Sequence, residues 1–303
     1  MKNAVLFLTF NRPDIAKRTF VEIAKAKPPR LYIASDGARE NKNGETELVN
    51  QTRKIVDLVD WQCEVKTLFQ EKNLGCGLAV SSAITWFFEH EEQGIILEDD
   101  CLPNQSFFLF CEELLEKYKN EERVANISGF KCIETKNKFS YYFSDMIEIW
   151  GWATWRRAWL NFKLDVNELD ENAILSIIEN KPWRKTMKNY WLKVWHDMKG
   201  YKINSWGWPF TFCCWLKGAT SIISNVNLIS NIGFGSNATH TSGESSPLAN
   251  SLTFEMQFPL NHPEKIKTDL KTDWCFYKAT SQISLKKRIK AKLRKLLNLI
   301  TKL

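Results

Sequence analysis

Three consecutive acids, Glu98, Asp99 and Asp100, are the residues whose type and placement point most directly to chemistry. They follow the apolar run 94–97, which is typical of a buried strand and would hold them rigidly. Hard divalent cations such as Mn²⁺ and Mg²⁺ prefer oxygen ligands, and they commonly bind one or two carboxylates together with substrate phosphates. We interpret these residues, called the acidic motif below, as a metal and diphosphate site. The alternative is a solvated acidic turn.

Two further polar residues follow apolar runs in the same way. Arg12 comes after the run 4–10, and Asp36 comes after the run 31–34. A guanidinium group pairs with phosphate oxygens, and a carboxylate accepts a hydrogen bond from the ring N–H of a nucleobase. The alternatives are a contact at a helix N-terminus for Arg12 and a turn role for Asp36.

The elements that position these residues alternate between strand and helix. The pattern predicts strands over 4–10, 31–34, 64–69 and 94–97, and helices over 13–26, 46–59 and 78–90. Such alternation is typical of βαβ units with a parallel sheet, in which ligands lie at the carboxyl ends of the strands. Arg12, Asp36 and the acidic motif should therefore meet in one crevice.

The second part of the chain is less regular. Its pattern predicts helices over 107–118 and 206–217 and a largely helical stretch over 168–198 that Pro182 interrupts. It also predicts a strand over 221–223, an aromatic-rich loop over 140–163 and a mobile loop over 230–252. The 13 tryptophans lie mostly between residues 150 and 208. Planar indole rings pack well in a core, and they also form platforms for sugars and other amphipathic ligands.

Several motifs, in this order, resemble the nucleotide-sugar half of GT-A glycosyltransferases. They are Asn11-Arg12-Pro13, Ser35-Asp36-Gly37, Asn73-Leu74-Gly75 and Ile96-Leu97-Glu98-Asp99-Asp100-Cys101-Leu102-Pro103. The Glu-Asp-Asp form followed by Pro and two Phe is similar to the N-acetylglucosaminyltransferase I group. Bacterial relatives of that group resemble the chain as far as about residue 262, through the motifs at 150–159, 230–235 and 239–241.

The resemblance implies a role for each matching residue. Asp100 would be the direct metal ligand for Mn²⁺ or Mg²⁺, with His240 as a late metal or diphosphate contact. The remaining donor-binding residues would be Thr9, Arg12, Asp36, Asn73, Glu98 and Asp99, of which Asp36 would contact the base, Arg12 the diphosphate, and Glu98 and Asp99 the ribose or sugar. The pocket for the acceptor and the donor sugar would be lined by Trp150, Gly151 and Trp152.

One position departs from the resemblance. Close relatives typically carry an aspartate where this chain has Gly207, and that aspartate matches the general base of inverting transfer. Glycine has no side chain and cannot be a base. Glu148 is the first candidate to replace it and Asp197 the second. A retaining reaction, in which the leaving phosphate takes the proton, would need no such base, and an inactive copy would need none either.

The resulting hypothesis is an α/β GT-A domain over 1–275, with a nucleotide-binding half (1–104) and an acceptor-binding half (105–275). It would be a hexosyl- or N-acetylhexosaminyltransferase that uses a nucleoside diphosphate sugar, with UDP-sugars favoured. The acceptor would be a glycan or a lipid-linked glycan in surface polysaccharide synthesis. The alternatives are a nucleotidyltransferase and a non-catalytic nucleotide-sugar-binding protein. A Gly-rich basic loop near the N-terminus, usual in nucleotidyltransferases, is absent from residues 7–13.

The net charge of +7 is due to the segment 283–303, called the tail below. Its eight Lys or Arg residues, removed from 42, leave 34 basic against 35 acidic residues. Aliphatic residues recur in the tail at helical spacing, which predicts a basic amphipathic helix on an anionic membrane. The tail has no aromatic residue, which argues against nucleic acid. The same spacing also fits a helix that packs on its own domain.

Compartment follows from what the sequence lacks. The eight cysteines contain no CxxC pair, which argues against a zinc site. No signal-like segment is found, and no stretch has the roughly 20 apolar residues of a membrane span. The sequence therefore predicts a cytoplasmic protein that is peripheral on the inner face of the membrane.

Overall fold

The structure, a computed structural model, describes residues 1–134, 138–234 and 248–280. Its first part alternates as expected. The elements are β1 (Ala4–Thr9), α1 (Pro13–Ala26), β2 (Arg30–Ser35), α2 (Glu45–Arg53), a 3₁₀ turn (Lys54–Leu58), β3 (Glu64–Phe69), α3 (Gly75–His90), β4 (Gln93–Glu98), β5 (Cys101–Pro103) and α4 (Gln105–Lys117).

The second part adds strands to the same sheet and helices around it. The elements are β6 (Val124–Ser128), β7 (Tyr141–Ser144), β8 (Trp152–Trp155), α5 (Arg156–Trp159), a 3₁₀ turn (Val166–Glu168), α6 (Glu171–Asn180), α7 (Lys185–Lys199), α8 (Gly207–Leu216), β9 (Thr220–Ser224) and β10 (Ile229–Asn231). Residues 270–280 form a further helix, called helix 270–280 below.

The main sheet has eight strands in the order β3-β2-β1-β4-β8-β6-β9-β7. The first four are mutually parallel, and β8 is antiparallel to both of its neighbours. A separate two-stranded antiparallel sheet pairs β10 with β5, directly after the acidic motif. The predicted α/β architecture, a mostly parallel sheet flanked by helices, is confirmed.

The core lies on both faces of the sheet, because successive strand residues point to opposite sides. In β1, Val5 and Phe7 join the apolar cluster that includes α1 and α4. The alternate residues Leu6 and Leu8 join the cluster on the other face, which includes α3 and part of α8. Burying each such large side chain contributes about 1.5–3 kcal/mol. Because both faces of the sheet are covered, the polar residues that follow each strand lie at the edge of the sheet, where the strand ends.

One expectation needs correction, one predicted boundary falls inside a helix, and two predicted features lie outside the described residues. The aromatic-rich stretch 140–163 contains strands β7 and β8 rather than only a loop, and all residues of both strands are buried. The predicted boundary at residue 275 falls inside helix 270–280. Asp273 anchors this helix, because its carboxylate accepts hydrogen bonds from Ser144 and from the backbone of Asp145. His240 and the tail lie outside the described residues.

Candidate functional site

A cavity of about 680 Å³ opens at the carboxyl ends of β1, β2 and β4. Thr9, Asp36 and the acidic motif line one end of it, called the acidic end. Four aromatic residues also line the cavity, and together they are called the aromatic end: Tyr190, Trp191, Trp208 and Tyr277. The predicted convergence of three strand exits therefore occurs. The volume of the cavity is in the range of small-molecule sites, about 300–1,000 Å³.

Arg12 holds the acidic motif together. Its guanidinium group donates to both carboxylate oxygens of Asp99 and, at 3.1 Å, to Oδ2 of Asp100. Burial alone would lower the pKa of Arg12, but the two carboxylates raise it above its ordinary value. In this structure Arg12 therefore pairs with the motif, at the same end of the cavity where the resemblance places a diphosphate.

The acidic motif carries more negative charge than Arg12 neutralises. Burial, together with repulsion from Asp100 and Asp99, raises the pKa of Glu98 above its usual range. Burial also raises the pKa of Asp99, against the opposing effect of Arg12. Crowded carboxylates of this kind become more acidic when a cation binds beside them. The residues therefore fit a divalent cation.

The protein supplies few ligands for that cation. No cluster of three or more His, Cys, Asp or Glu side chains with metal-binding geometry occurs in residues 1–134, 138–234 and 248–280. A site of this kind is completed by phosphate oxygens and water, as is usual for Mg²⁺ at phosphate-binding sites. Asp100 is the described residue that would hold the ion.

Asp100 is fixed from the side of β10. Its carbonyl accepts from the backbone N–H of Ile232 at 2.9 Å. A Cβ atom at Gly233 would overlap Oδ2 of Asp100, so only glycine allows the chain to pass this close. The segment after β10 therefore packs directly on the proposed metal ligand.

Asp36 forms a different set of contacts from the one predicted. Its carboxylate accepts from the backbone N–H groups of Gly37, Leu74 and Gly75 and from the side-chain amide of Asn73, at 2.8–3.0 Å. A carboxylate has about four acceptor positions, so these donors occupy all of them. Asp36 thus clamps the exit of β2 to the start of α3, and it can accept from a base only by releasing one donor.

The other predicted donor residues also lie at the acidic end. The hydroxyl of Thr9 donates to the carbonyl of Ala34, and Asn73 donates to Asp36 and to the carbonyl of Gly37. Both residues line the cavity. Each therefore joins two strand exits.

Arg39 and Gln70 line the acidic end without having been predicted. Arg39 pairs with the buried carboxylate of Glu45, and its guanidinium carbon lies 5.5 Å from the ring centre of Phe10. Arg39 follows the Ser35-Asp36-Gly37 motif by two residues, which is the one signal that could have identified it. Gln70 directly follows β3 and lies three residues before the Asn73-Leu74-Gly75 motif.

The aromatic end is a continuous series of ring contacts. Tyr277 lies 5.5 Å from Tyr190, Tyr190 lies 5.5 Å from Trp191, and Trp191 lies 5.3 Å from Trp208, measured between ring centres. Their planar faces suit the apolar faces of sugar rings. The clustering of tryptophan indicated such a platform, but no motif identified these members.

Only one residue of the predicted Trp-Gly-Trp pocket wall lines the cavity, and that is Trp150. Trp152 is 1% exposed and stacks on Trp206 in the core. Gly151 has φ of +61°, and a Cβ atom there would overlap the side chain of Ile229. Gly151 and Trp152 therefore position Trp150 and do not line the pocket.

Glu148 lies in the wall of the cavity beside the aromatic end. Burial raises the pKa of Glu148 to about 8. Burial and the Glu148 carboxylate together raise the pKa of Tyr190 to about 12, which places the two groups near each other. Among the described residues, the Glu148 side chain has no hydrogen-bond or ion-pair partner. Its carboxyl group therefore lines the cavity and stabilises no other described side chain through a hydrogen bond or an ion pair.

Gly207, where the resemblance predicts an aspartate, lies beside Ile149, the residue that follows Glu148. It begins α8 and lines the cavity, and a Cβ atom there would lie 2.6 Å from Cδ1 of Ile149. The Glu148 segment thus occupies the space beside the missing side chain. Asp197 is not among the residues that line the cavity, and it pairs with Lys193 on the surface of α7. This placement separates Asp197 from the role of base.

No family model matches this chain, and no curated protein matches it. Among solved structures, TarS (residues 1–349) of S. aureus matches 52% of this chain and 48% of its own length, at 13% identity and a TM-score of 0.38. The match therefore spans about half of that protein. UDP-glucose pyrophosphorylase complexed with UDP-glucose matches 74% of this chain and 90% of its own, at 12% identity and a TM-score of 0.37.

A third match is 4-diphosphocytidyl-2C-methyl-D-erythritol synthase from Anaerococcus prevotii, at 8% identity and a TM-score of 0.33, covering 59% of this chain and 85% of that one. These values are too low to identify a family or a reaction. Membership of the N-acetylglucosaminyltransferase I group stays a prediction.

Proposed function

We propose that this protein is a metal-dependent glycosyltransferase that uses a nucleoside diphosphate sugar. One observation carries the proposal: a single cavity joins the acidic motif and Arg12 at one end to Glu148 and an aromatic platform at the other. Transfer of a sugar needs both ends, because the diphosphate must leave from one side while the acceptor hydroxyl attacks from the other. UDP-sugars are the first donors to test.

The chain's own residues divide the work. Bound Mn²⁺ or Mg²⁺ would offset the charge that develops on the diphosphate. Arg12, already in the cavity, is placed to exchange its contact with Asp100 for a phosphate oxygen. Glu148 accepts the proton from the acceptor hydroxyl, and the aromatic rings orient the acceptor sugar against it. We expect inversion of configuration.

The connection from β1 to α1 supports transfer to a sugar over nucleotidyl transfer. It consists of residues 10–12 only, between Thr9 and Pro13. It has no glycine and one cation, so it offers no extended loop of backbone N–H groups around a triphosphate.

The test is incubation of the purified chain with Mn²⁺ and labelled nucleotide-sugars, scoring transfer to glycan acceptors and hydrolysis. Asp100→Ala should abolish both activities and Mn²⁺-dependent donor binding, whereas the matched surface change Asp197→Ala should alter neither. Unchanged donor affinity of Asp100→Ala by isothermal titration would show that the site is assigned wrongly. Release of pyrophosphate from a nucleoside triphosphate and a sugar phosphate would instead identify a nucleotidyltransferase. Donor binding without turnover would identify a binding protein.

A further inference from the structure

The start of α7 carries cations that no acid neutralises. Residues 181–193 contain five Lys or Arg and no Asp or Glu. Lys181 pairs with the buried Asp145, and Lys193 pairs with Asp197. The other three, Arg184, Lys185 and Lys188, have no acidic partner within the described part of the chain.

Helix 270–280 has two unlike sides. Its inward side carries the buried Asp273 and three residues that line the cavity, Phe276, Tyr277 and Thr280. Its outward side carries Lys271, Trp274 and Lys278 at i, i+3 and i+7, so these three share one stripe of the helix. Trp274 is half-buried, and both lysines are exposed.

The two elements form one surface. The guanidinium carbon of Arg184 lies 4.5 Å from the ring centre of Trp274, and Nζ of Lys278 lies 5.8 Å from it. The hydroxyl of Tyr277 donates to the carbonyl of Thr186 at 3.1 Å. We call this surface the basic face. It comprises Arg184, Lys185, Lys188, Lys271 and Lys278 around Trp274.

Acids do not balance the basic face. Glu179 is exposed nearby on α6, where its carbonyl accepts from Lys188. Asp269 caps the start of helix 270–280 by accepting from Thr272. A groove between α6 and α7 opens beside Lys185 and Lys188, and its apolar lining includes Ile178, Trp183 and Leu192. Cations, a half-buried tryptophan and an apolar groove thus occur together.

We propose that the basic face docks on an anionic phospholipid bilayer. Tryptophan and the long stems of Lys and Arg suit the boundary between lipid headgroups and acyl chains. Each cation near such a surface strengthens binding about fivefold. A second copy of this chain would bring the same positive charge against it. The tail, with eight further cations, begins five residues after Lys278 and adds to the same attraction.

Docking through this face also orients the cavity. Tyr190 on α7 and Tyr277 on helix 270–280 line its aromatic end, and they belong to the two elements that form the basic face. Docking would therefore bring the two elements that carry the aromatic end close to the bilayer. If the proposed function holds, on which this step rests, the acceptor is a lipid-linked glycan that reaches Glu148 from the membrane.

The test compares two variants of the full chain with equal loss of charge. The face variant is Arg184→Gln, Lys185→Gln and Lys188→Gln. The control variant is Lys17→Gln, Arg18→Gln and Lys42→Gln, three exposed cations outside the basic face. Binding is measured by flotation with phosphatidylserine–phosphatidylcholine vesicles, without donor or acceptor. We expect the face variant to bind at least about tenfold more weakly and the control to bind like the wild type.

Each other outcome overturns the proposal. Equal binding of all three proteins, or an equal loss in both variants, would show that the face has no special role. Tighter binding of the wild type to single-stranded DNA than to vesicles, lost in the face variant, would make nucleic acid the partner. Lys185→Gln with Lys188→Gln, which leaves Arg184 on Trp274, replaces the triple variant if its melting temperature falls. Binding of a nucleotide-sugar donor, measured separately, tests the proposed function, so its failure can be distinguished from a failure of membrane docking.

Discussion

At the scale of single residues, Glu148 is the group on which the proposed chemistry depends most. Glu148 lines the cavity, its side chain has no hydrogen-bond or ion-pair partner among the described residues, and it is followed by Ile149, which lies against Gly207. Asp197 instead pairs with Lys193 and does not line the cavity. Their positions along the chain make both acids candidates for the base. The packing of Ile149 against Gly207 is a further observation that favours Glu148 over Asp197 as the proposed base.

Glu148→Gln should lower turnover by about 10²–10⁴-fold and leave donor affinity nearly unchanged, because a general base acts only in the chemical step. The base must be ionised, and burial raises the pKa of Glu148 to about 8. Turnover of the wild type should therefore rise with pH through about 8. The Gln variant should lack this rise, and Glu116→Gln on the exposed face of α4 should keep it. A Gln variant with normal turnover and a retained anomeric configuration by NMR would exclude Glu148 as the base.

A carboxylate restored at position 207 should take over from Glu148. In the background of Glu148→Gln, Gly207→Asp should recover at least about tenfold of the lost turnover. The new Cβ atom would meet Cδ1 of Ile149 at 2.6 Å, so Ile149→Val, which removes that atom, should improve the recovery. Kinetics of the double and triple variants test this. No recovery in a folded triple variant would show that position 207 does not face the acceptor hydroxyl.

At the scale of elements, the exit of β2 and the start of α3 depend on each other through Asp36. Asp36→Asn leaves one acceptor oxygen for four donors, so we expect a loss of about 1–3 kcal/mol in the free energy of unfolding. Urea denaturation measures this, with the exposed Asp57→Asn as the matched control. Unchanged stability together with weakened UDP-sugar binding would contradict the clamp and restore the predicted contact with the base.

The same clamp shows why some element bounds were predictable and others were not. β1 to β4 lie within one or two residues of the predicted strands, and β1, β2 and β4 are predictable because each is an apolar run that ends in polar residues. The start of α3 was placed at residue 78, but it lies at Gly75. The carboxylate that accepts from the N–H groups of Leu74 and Gly75 comes from Asp36, 38 or more residues away, and no local pattern contains it.

The aromatic strand β8 was missed for a different reason. Trp152 to Trp155 are buried on both faces of the sheet, so the run has no alternation between apolar and polar residues to identify a strand. The acidic end of the site was predicted, because short motifs at strand exits form it. The aromatic end was not, because α7, α8 and helix 270–280 supply it through tertiary packing.

At the scale of the whole molecule, we propose that the tail and the basic face both contribute to binding an anionic membrane. No helix in the described ranges is both long and apolar enough to span a bilayer. Deleting the tail should lower affinity for anionic vesicles, leave residual binding through the basic face and preserve activity on a short soluble acceptor. Binding of the full chain should weaken with salt, since attraction is screened within about 10 Å at 0.1 M.

Vesicle flotation of the truncated chain, with and without Lys185→Gln and Lys188→Gln, measures the two contributions. If truncation unfolds the protein, the tail belongs to the fold instead. If the truncated chain binds vesicles as tightly as the full chain, the tail makes no contact with lipid.

The position of helix 270–280 in the sequence also determines when the cavity wall can be completed during synthesis. Because it lies far along the chain, a polypeptide emerging from the ribosome can assemble β1 to β4 and the acidic motif well before Phe276, Tyr277 and Thr280 exist to line the cavity. Until then Asp273 has not met Ser144, and the aromatic end stays open to water. Products of premature termination before residue 270 would contain the acidic motif but lack the part of the cavity wall that helix 270–280 supplies.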